Sequence, residues 1–200
     1  MFIVGITGAS GILYGIRLLS QLARQGEVCL IVTSKAKLVF AHELGITYRN
    51  KHDLKPHLSD VEIKNVNELS NQNLMAPPAS GTWPAKAMIV VPATMNTVAA
   101  IHAGLSDTLL LRAADVTMKE GRPLILVPRE APFSTLHLKN MMELSQVGVR
   151  IIPANPGFYH HPKSVEDVVD FIVAKILDQL GVKHTLVKPW DGTGMKQIYE

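Results

Sequence analysis

Short apolar runs rich in β-branched residues recur along the chain and predict five buried strands. These runs do not alternate between apolar and polar residues, which is typical of strands covered on both faces of a parallel sheet. The predicted strands cover residues 2–6, 28–32, 88–91, 124–127 and 149–152.

Apolar residues spaced three and four positions apart fill the intervals between these runs and predict amphipathic helices. Strands that alternate with helices indicate βαβ units with right-handed crossovers. The fold class predicted is therefore α/β, a doubly wound parallel sheet in a three-layer sandwich. The clearest helices span residues 12–22, a segment from a cap at Ser106 or Asp107 to Glu120, and a segment from a cap at Ser164 to Gly181.

The chain length of 200 residues suits one domain. We predict a single domain over residues 1–185 and a loosely held C-terminal tail over residues 186–200. Residues 44–86 interrupt the strand–helix rhythm, because they are polar and rich in Asn and His. We interpret this segment as a long loop with a functional or subunit-contact role.

Composition narrows the class of protein. Hydrophobic residues make up 47% of the chain and charged residues only 18%, against the roughly 25% of ordinary soluble domains, which suggests surface buried between subunits. The net charge of +3 is scattered, so no nucleic-acid partner is predicted. The single cysteine fits a reducing compartment, and no apolar run approaches the roughly 20 residues of a membrane span. We expect a cytoplasmic protein without a membrane anchor.

Candidate ligand groups follow the predicted strands, because open parallel sheets bind ligands beyond the carboxyl ends of their strands. The first strand runs into a glycine turn that holds Gly8, Ala9 and Ser10, directly before a helix. Such a turn suits an anion at a helix N-terminus, although tight packing alone also explains it. The second strand is followed by Thr33 and no acidic residue for a ribose, which disfavours NAD.

The third and fourth strands end in further polar groups. Thr94, Met95, Asn96 and Thr97 enter a short helix, where the hydroxyls and the amide can bind a ligand or cap the helix. Arg129 and Glu130 lie between prolines after the fourth strand, where they can act on a ligand or form a structural ion pair.

Other clusters are interpreted as structural, and no metal site is predicted. The carboxylates at Glu166, Asp167 and Asp170 fall in the first turns of a helix, where they complement its dipole. His160 and His161 are adjacent and not at metal-ligand spacing. Cys29 is interpreted as a small core residue.

Several strings together resemble the UbiX-type flavin prenyltransferases, within the flavoprotein superfamily of homo-oligomeric FMN-binding proteins. The resemblance runs from residue 1 to about residue 181 and reappears at Trp190. The strings that carry it include GASG at 8–11, MAPPASG at 75–81, RAADV at 112–116, LVPREAP at 126–132 and GFYH at 157–160.

This resemblance implies a flavodoxin-like, Rossmann-like homo-oligomer, a dodecamer in known relatives, with FMN at the subunit junctions. It implies transfer of a dimethylallyl group from dimethylallyl monophosphate to N5 and C6 of reduced FMN. The product, prenylated FMN, would serve a separate decarboxylase, and the reaction would need no metal. The sequence does not distinguish a monophosphate donor from a diphosphate donor.

The resemblance also implies roles for individual residues. Ser10, Glu43, Glu130 and Tyr159 would be catalytic, with Glu43 and Glu130 as the acid–base carboxylates. The prenyl phosphate would contact Tyr159 and Lys175, with Arg112 and Lys119 nearby. FMN would contact Gly8, Ala9, Ser10, Thr33, Thr94, Met95, Asn96, Thr97 and Arg129.

Three positions depart from the family pattern, which usually has Ser at Thr33, Lys at Asn96 and Arg at Lys175. The string PATMN at 92–96 also resembles sister flavoproteins that decarboxylate cysteinyl substrates, but those use a later Cys and no Cys follows Cys29. A third hypothesis is a non-enzymatic FMN-binding regulatory subunit, against which the intact Arg129, Glu130 and Tyr159 argue.

Overall fold

The computed structural model describes residues 1–190, and a single six-stranded sheet forms the middle layer of this part of the chain. All adjacent strands that pair are parallel, and the strand order is β3-β2-β1-β4-β5-β6. The strands are β1 (Phe2–Ile6), β2 (Val28–Val32), β3 (Val66–Leu69), β4 (Ala87–Ala93), β5 (Leu124–Pro128) and β6 (Arg150–Ile151).

Seven α-helices within residues 1–190 cover the two faces of the sheet, which confirms the predicted doubly wound α/β fold. Two short 3₁₀ turns, Lys51–Leu54 and Pro77–Ala79, lie in the long segment between β2 and β4. The helices are α1 (Ile12–Ala23), α2 (Ser34–Leu44), α3 (Asp60–Asn65), α4 (Met95–His102), α5 (Leu109–Lys119), α6 (Thr135–Gln146) and α7 (Val165–Leu180).

Alternate strand residues face two separate hydrophobic clusters, one on each side of the sheet. On one side, Val4, Leu30 and Ile89 pack with buried residues of α1, α2, α3 and α7. On the other side, Ile3 and Val90 pack with α4, α5 and α6. Because the central strands are apolar on both faces, their sequences show no alternation.

The prediction that residues 44–86 form one long loop is wrong. This segment contains α3 and β3, and β3 forms one edge of the sheet against β2. The sequence of β3, VNEL, is short and half polar because an edge strand is partly exposed to solvent. It therefore lacks the apolar run that marked the other strands.

The predicted caps at both ends of α7 agree with the structure, and the predicted N-cap of α5 does not. Ser164 caps α7 by accepting a hydrogen bond from the Asp167 N–H, and Gly181 ends the helix with a φ of 65°. The cap of α5 is Thr108, not Ser106 or Asp107, because its hydroxyl accepts the hydrogen bond from the Leu111 N–H. Within residues 1–190, no helix combines the length and apolar composition that crossing a membrane requires.

The predicted boundary between domain and tail at residue 185 stays a prediction. The last described helix ends at Leu180, and residues 181–190 continue without helix or strand. The rest of the predicted tail, residues 191–200, lies outside the described residues.

Candidate functional site

A groove opens at the carboxyl ends of β1 and β4, where the strand order changes direction. β1 pairs with β2 on one side and with β4 on the other, so the chains leaving β1 and β4 diverge. Doubly wound sheets bind their ligands at this type of crevice. We call it the carboxyl-edge groove; its volume is about 490 Å³, and its polar lining includes Thr7, Thr33, Ser34, Lys35, Asn96 and Thr108.

Helices α2 and α4 begin at the carboxyl-edge groove, and each is capped by a threonine that the sequence analysis named as a candidate ligand group. The Thr33 hydroxyl accepts a hydrogen bond from the Ala36 N–H at 3.3 Å, and the Thr94 hydroxyl accepts one from the Thr97 N–H at 3.1 Å. Each threonine satisfies one N–H of its helix and leaves other first-turn N–H groups without an intrahelical partner. The groove therefore gathers N–H donors and the positive ends of two helix dipoles, which favour an anion.

The other predicted groups on α4 differ in accessibility. The Thr97 hydroxyl lies 2.9 Å from the Thr94 hydroxyl, and Thr97 is buried. Asn96 is exposed and lines the groove, where its amide is free to meet a ligand. The Met95 side chain packs in the core, so only its backbone can contact a ligand.

Thr7 joins the two strands that flank the groove. Its hydroxyl donates to the Pro92 carbonyl at 2.7 Å and accepts from the Thr94 N–H at 2.9 Å. Thr7 is buried, so these hydrogen bonds fix the end of β1 relative to the cap of α4. The sequence argument did not single out Thr7.

Gly8 allows the turn after β1 to lie directly on the first turn of α2. A Cβ atom at Gly8 would lie 2.6 Å from the Lys35 Cβ and 3.1 Å from the Lys35 carbonyl carbon. No side chain fits between these backbones. The glycine predicted from the turn motif therefore shapes one wall of the groove.

The turn of residues 8–11 is held from two sides by charged side chains. The Glu43 carboxylate accepts hydrogen bonds from the Gly11 and Ile12 N–H groups at 3.0–3.1 Å. The Arg129 Nε donates to the Ser10 carbonyl at 3.3 Å. Ser10 itself is exposed and Ala9 is buried, so the Ser10 hydroxyl is the group of this turn that faces outward.

Glu130 follows Arg129 and projects from the carboxyl end of β5. It is exposed, and its Oε1 accepts a hydrogen bond only from the Ala131 N–H, at 3.2 Å, within residues 1–190. No ion pair joins Glu130 to Arg129 in this part of the chain. The structural ion pair considered for these two residues is therefore not formed.

A second cavity surrounds Tyr159 and lies next to α7. Its volume is about 770 Å³, and Tyr159, Phe171, Lys175 and Trp190 line it. The Tyr159 ring meets the rings of Phe171 and Trp190 edge to face, with centroids 5.6 and 5.8 Å apart. These aromatic contacts orient the half-exposed Tyr159 side chain.

Lys175 reaches into this cavity from α7. Its Nζ lies 5.8 Å from the centroid of the Phe171 ring, and the side chain is exposed. Tyr159 and Lys175 therefore line one cavity, with an apolar wall between them.

Arg112 and Lys119, on α5, line neither of these two cavities. Arg112 donates to the Ala79 carbonyl at 3.1 Å and pairs with Asp115 at 2.6 Å, and Lys119 pairs with Glu120. Within one chain, the predicted residues therefore lie in three places: the carboxyl-edge groove with its turn, the Tyr159 cavity, and the surface of α5.

The structure adds groove residues that the sequence argument did not select. Ser34 and Lys35 directly follow Thr33 in the first turn of α2. The rule that ligand groups follow strand ends could have found them if it had been applied to two more residues. Asn71 gave no signal, because it belongs to the segment interpreted as a loop. Its backbone and side-chain oxygens accept hydrogen bonds from the Leu109 and Leu110 N–H groups, both at 2.9 Å.

Comparison with known proteins assigns this architecture to a family. The model of the flavoprotein family matches residues 1–177. The flavin prenyltransferase UbiX of Pseudomonas aeruginosa is 43% identical over 192 residues, which cover 94% of this chain and 92% of that protein.

Two crystal structures superpose closely on the fold. A dodecameric FMN-dependent UbiX-like decarboxylase from Escherichia coli O157:H7 has a TM-score of 0.85 and 40% identity, covering 96% of this chain and 99% of the other. AnUbiX (PadA1), in complex with FMN and dimethylallyl pyrophosphate, has a TM-score of 0.85 and 35% identity, covering 96% and 97%. The chain therefore belongs to the flavoprotein family and, within it, to the UbiX-type flavin prenyltransferases.

Proposed function

We propose that this protein transfers a dimethylallyl group from dimethylallyl monophosphate to N5 and C6 of reduced FMN and releases prenylated FMN. The observation that carries the proposal is the carboxyl-edge groove, where two helix N-termini and a close glycine turn converge. The Pseudomonas aeruginosa relative at 43% identity is a flavin prenyltransferase, and AnUbiX was crystallised with FMN and dimethylallyl pyrophosphate.

The donor set of the groove fits the phosphate and the ring of FMN. Thr33, Ser34, Thr94 and Asn96 offer hydroxyl and amide groups beside first-turn N–H donors, and Lys35 adds a positive charge. The glycine at position 8 lets the turn after β1 pack directly on the Lys35 backbone at the wall of the groove. When bound, reduced FMN supplies the nucleophilic nitrogen of the reaction.

The Tyr159 cavity is the proposed site of the prenyl phosphate. Breaking an allylic C–O bond places negative charge on the leaving phosphate, which fixed donors and cations stabilise. Tyr159 offers a hydroxyl and Lys175 a charge, while Phe171 and Trp190 supply an apolar wall for the prenyl carbons. Such a donor set serves a monophosphate without a metal ion.

Arg112 and Lys119 would join this site from a neighbouring copy of the chain, because one chain holds them apart from the Tyr159 cavity. We propose a homododecamer, because the relative from Escherichia coli is dodecameric, and we place FMN at the subunit junctions. We also propose a cytoplasmic location and delivery of prenylated FMN to a separate decarboxylase.

Glu130 is the proposed acid–base carboxylate. It lies at the carboxyl end of β5 beside Arg129, and neither of its oxygens is bound to a charged partner within residues 1–190. An exposed and weakly engaged carboxylate is free to accept or donate a proton when the substrate arrives.

The deciding experiment incubates the protein anaerobically with reduced FMN and each allylic phosphate, and then measures the mass of the flavin. We expect the flavin to gain one five-carbon prenyl unit with dimethylallyl monophosphate. An unmodified flavin with every donor, under conditions where FMN is bound, would refute the activity and favour the regulatory-subunit hypothesis.

A further inference from the structure

Helix α1 has no side-chain cap of its own at its N-terminus, which directly follows the turn of residues 8–11. Its N-cap residue is Gly11, which has a φ of 97° and no side chain to accept a hydrogen bond. The missing acceptor comes from the last turn of α2, where Glu43 lies 32 positions further along the chain.

Both carboxylate oxygens of Glu43 accept hydrogen bonds from the N-terminus of α1. Oε1 accepts from the Gly11 N–H at 3.0 Å, and Oε2 accepts from the Gly11 and Ile12 N–H groups at 3.1 and 3.0 Å. Backbone N–H groups only donate, and an ionised carboxylate only accepts, so each of the three contacts pairs a donor with an acceptor. A proton on either oxygen would face an N–H donor.

Glu43 thereby acts on the turn that carries Ser10. Helix α2 contacts this turn at two points, through Lys35 under Gly8 and through Glu43 at Gly11. Arg129 holds the same turn from the side of β5 through the Ser10 carbonyl.

We propose that Glu43 is a positioning residue that fixes the turn of residues 8–11 against the flavin, and that it is not a proton-transfer group. The proposal rests on the function proposed above and reassigns the acid–base role that the family resemblance implied for Glu43. Proton transfer is then left to Glu130, which has no comparable set of backbone donors.

The variant Glu43→Gln tests this role, because a carboxamide has one acceptor oxygen and its NH₂ group would face a backbone N–H. We expect the dissociation constant for FMN to rise about 10-fold, the loss of roughly one charge-assisted hydrogen bond. The single-turnover rate of prenyl transfer should keep both limbs of its pH profile. Glu166→Gln, at an exposed position in the first turn of α7, is the matched control and should bind FMN as the wild type does.

The opposite result would overturn the proposal. If Glu43→Gln binds FMN with unchanged affinity and its pH profile loses one limb, Glu43 transfers a proton.

Hydrogen–deuterium exchange on the wild-type protein provides a second readout that does not need a foldable variant. The Gly11 and Ile12 amides should exchange more slowly than the amide of the exposed Ser10, and equal rates would refute the cap. FMN affinity and amide exchange are both measured without a prenyl donor. A failure of prenyl transfer in the wild type would therefore reject the proposed function and still leave the role of Glu43 tested.

Discussion

Asp178 and His184 are joined by a hydrogen bond of 3.0 Å between Oδ1 and Nε2 across the C-terminal end of α7. Asp178 lies three positions after Lys175 on α7, and its carboxylate is bound to His184. Spacing of three positions on a helix would also allow Lys175 to be a surface lysine paired with Asp178, but within residues 1–190 no such ion pair forms. Lys175 is therefore available to an anion in the Tyr159 cavity.

Replacing Lys175 should weaken use of the prenyl phosphate without affecting FMN. A charged hydrogen bond lost from such a site costs about 10-fold to 150-fold, so the KM of Lys175→Ala for dimethylallyl monophosphate should rise by that factor. Lys175→Arg should be tolerated, because a guanidinium also binds phosphate. Steady-state kinetics measure both, with the exposed Lys55→Ala as the control. An unchanged KM for Lys175→Ala would make Lys175 an ordinary surface lysine.

Glu130→Gln should slow catalysis without unfolding the protein. Glu130 is exposed and bonds only to the Ala131 N–H within residues 1–190, so its loss removes little packing. Positioned acid–base groups contribute about 10²-fold to 10⁴-fold in rate, and we expect ring formation on FMN to slow by that order. Rapid-mixing experiments with mass detection measure it. Glu27→Gln, an exposed carboxylate at the opposite end of the sheet, is the control. Loss of the oligomer with normal turnover of the remaining folded protein would show a structural role.

Gly8→Ala should destabilise the protein and weaken FMN binding. The new Cβ would lie 2.6 Å from the Lys35 Cβ and within 3.2 Å of the Lys35 backbone, so the turn and α2 must move apart. Overpacking of this kind costs about 1–3 kcal/mol. Thermal unfolding and FMN titration together measure the effect. An unchanged Tm with unchanged FMN affinity would show that the turn does not need the close approach.

The stability of the fold should decline in acid through Glu62. Burial alone would raise the pKa of this carboxyl, but hydrogen bonds from Arg24, Ser59 and Ser20 outweigh it and lower the pKa from 4.5 to about 2. A lowered folded-state pKa contributes stability that is fully present above the unfolded value and is lost as the pH falls from about 5 to about 2. The contribution lost is about 3 kcal/mol, since each pKa unit is worth about 1.4 kcal/mol.

Urea unfolding at pH 7 and at about pH 3 checks this prediction. Glu62→Gln should be less stable than the wild type at pH 7 and should show a smaller decline between the two pH values. Asp60→Asn, at an exposed position on the same helix, should keep the wild-type decline because Glu62 is intact. An equal decline in wild type and Glu62→Gln would assign the acid sensitivity to other groups.

The sequence predicted most of the sheet because its central strands are apolar on both faces. It missed β3, whose Asn67 and Glu68 reflect an edge position that only the tertiary fold determines. In the site, the strand-end rule selected Thr33 and Thr94, and both line the carboxyl-edge groove. It could not show that Glu43 caps α1, because that contact depends on how α2 packs against a turn 32 positions earlier.

The hydrogen bond from Thr7 to Pro92 joins residues 85 positions apart, and it has a consequence for how the protein folds. β1 and β4 form the two sides of the carboxyl-edge groove, but they meet only after the loop between them closes. Closing a long loop costs chain entropy before any contact across it forms, and pairing between distant strands slows folding. No N-terminal fragment that lacks β4 can contain the groove. Because FMN binds only the completed groove in this scheme, free flavin shifts the equilibrium toward the folded chain by mass action.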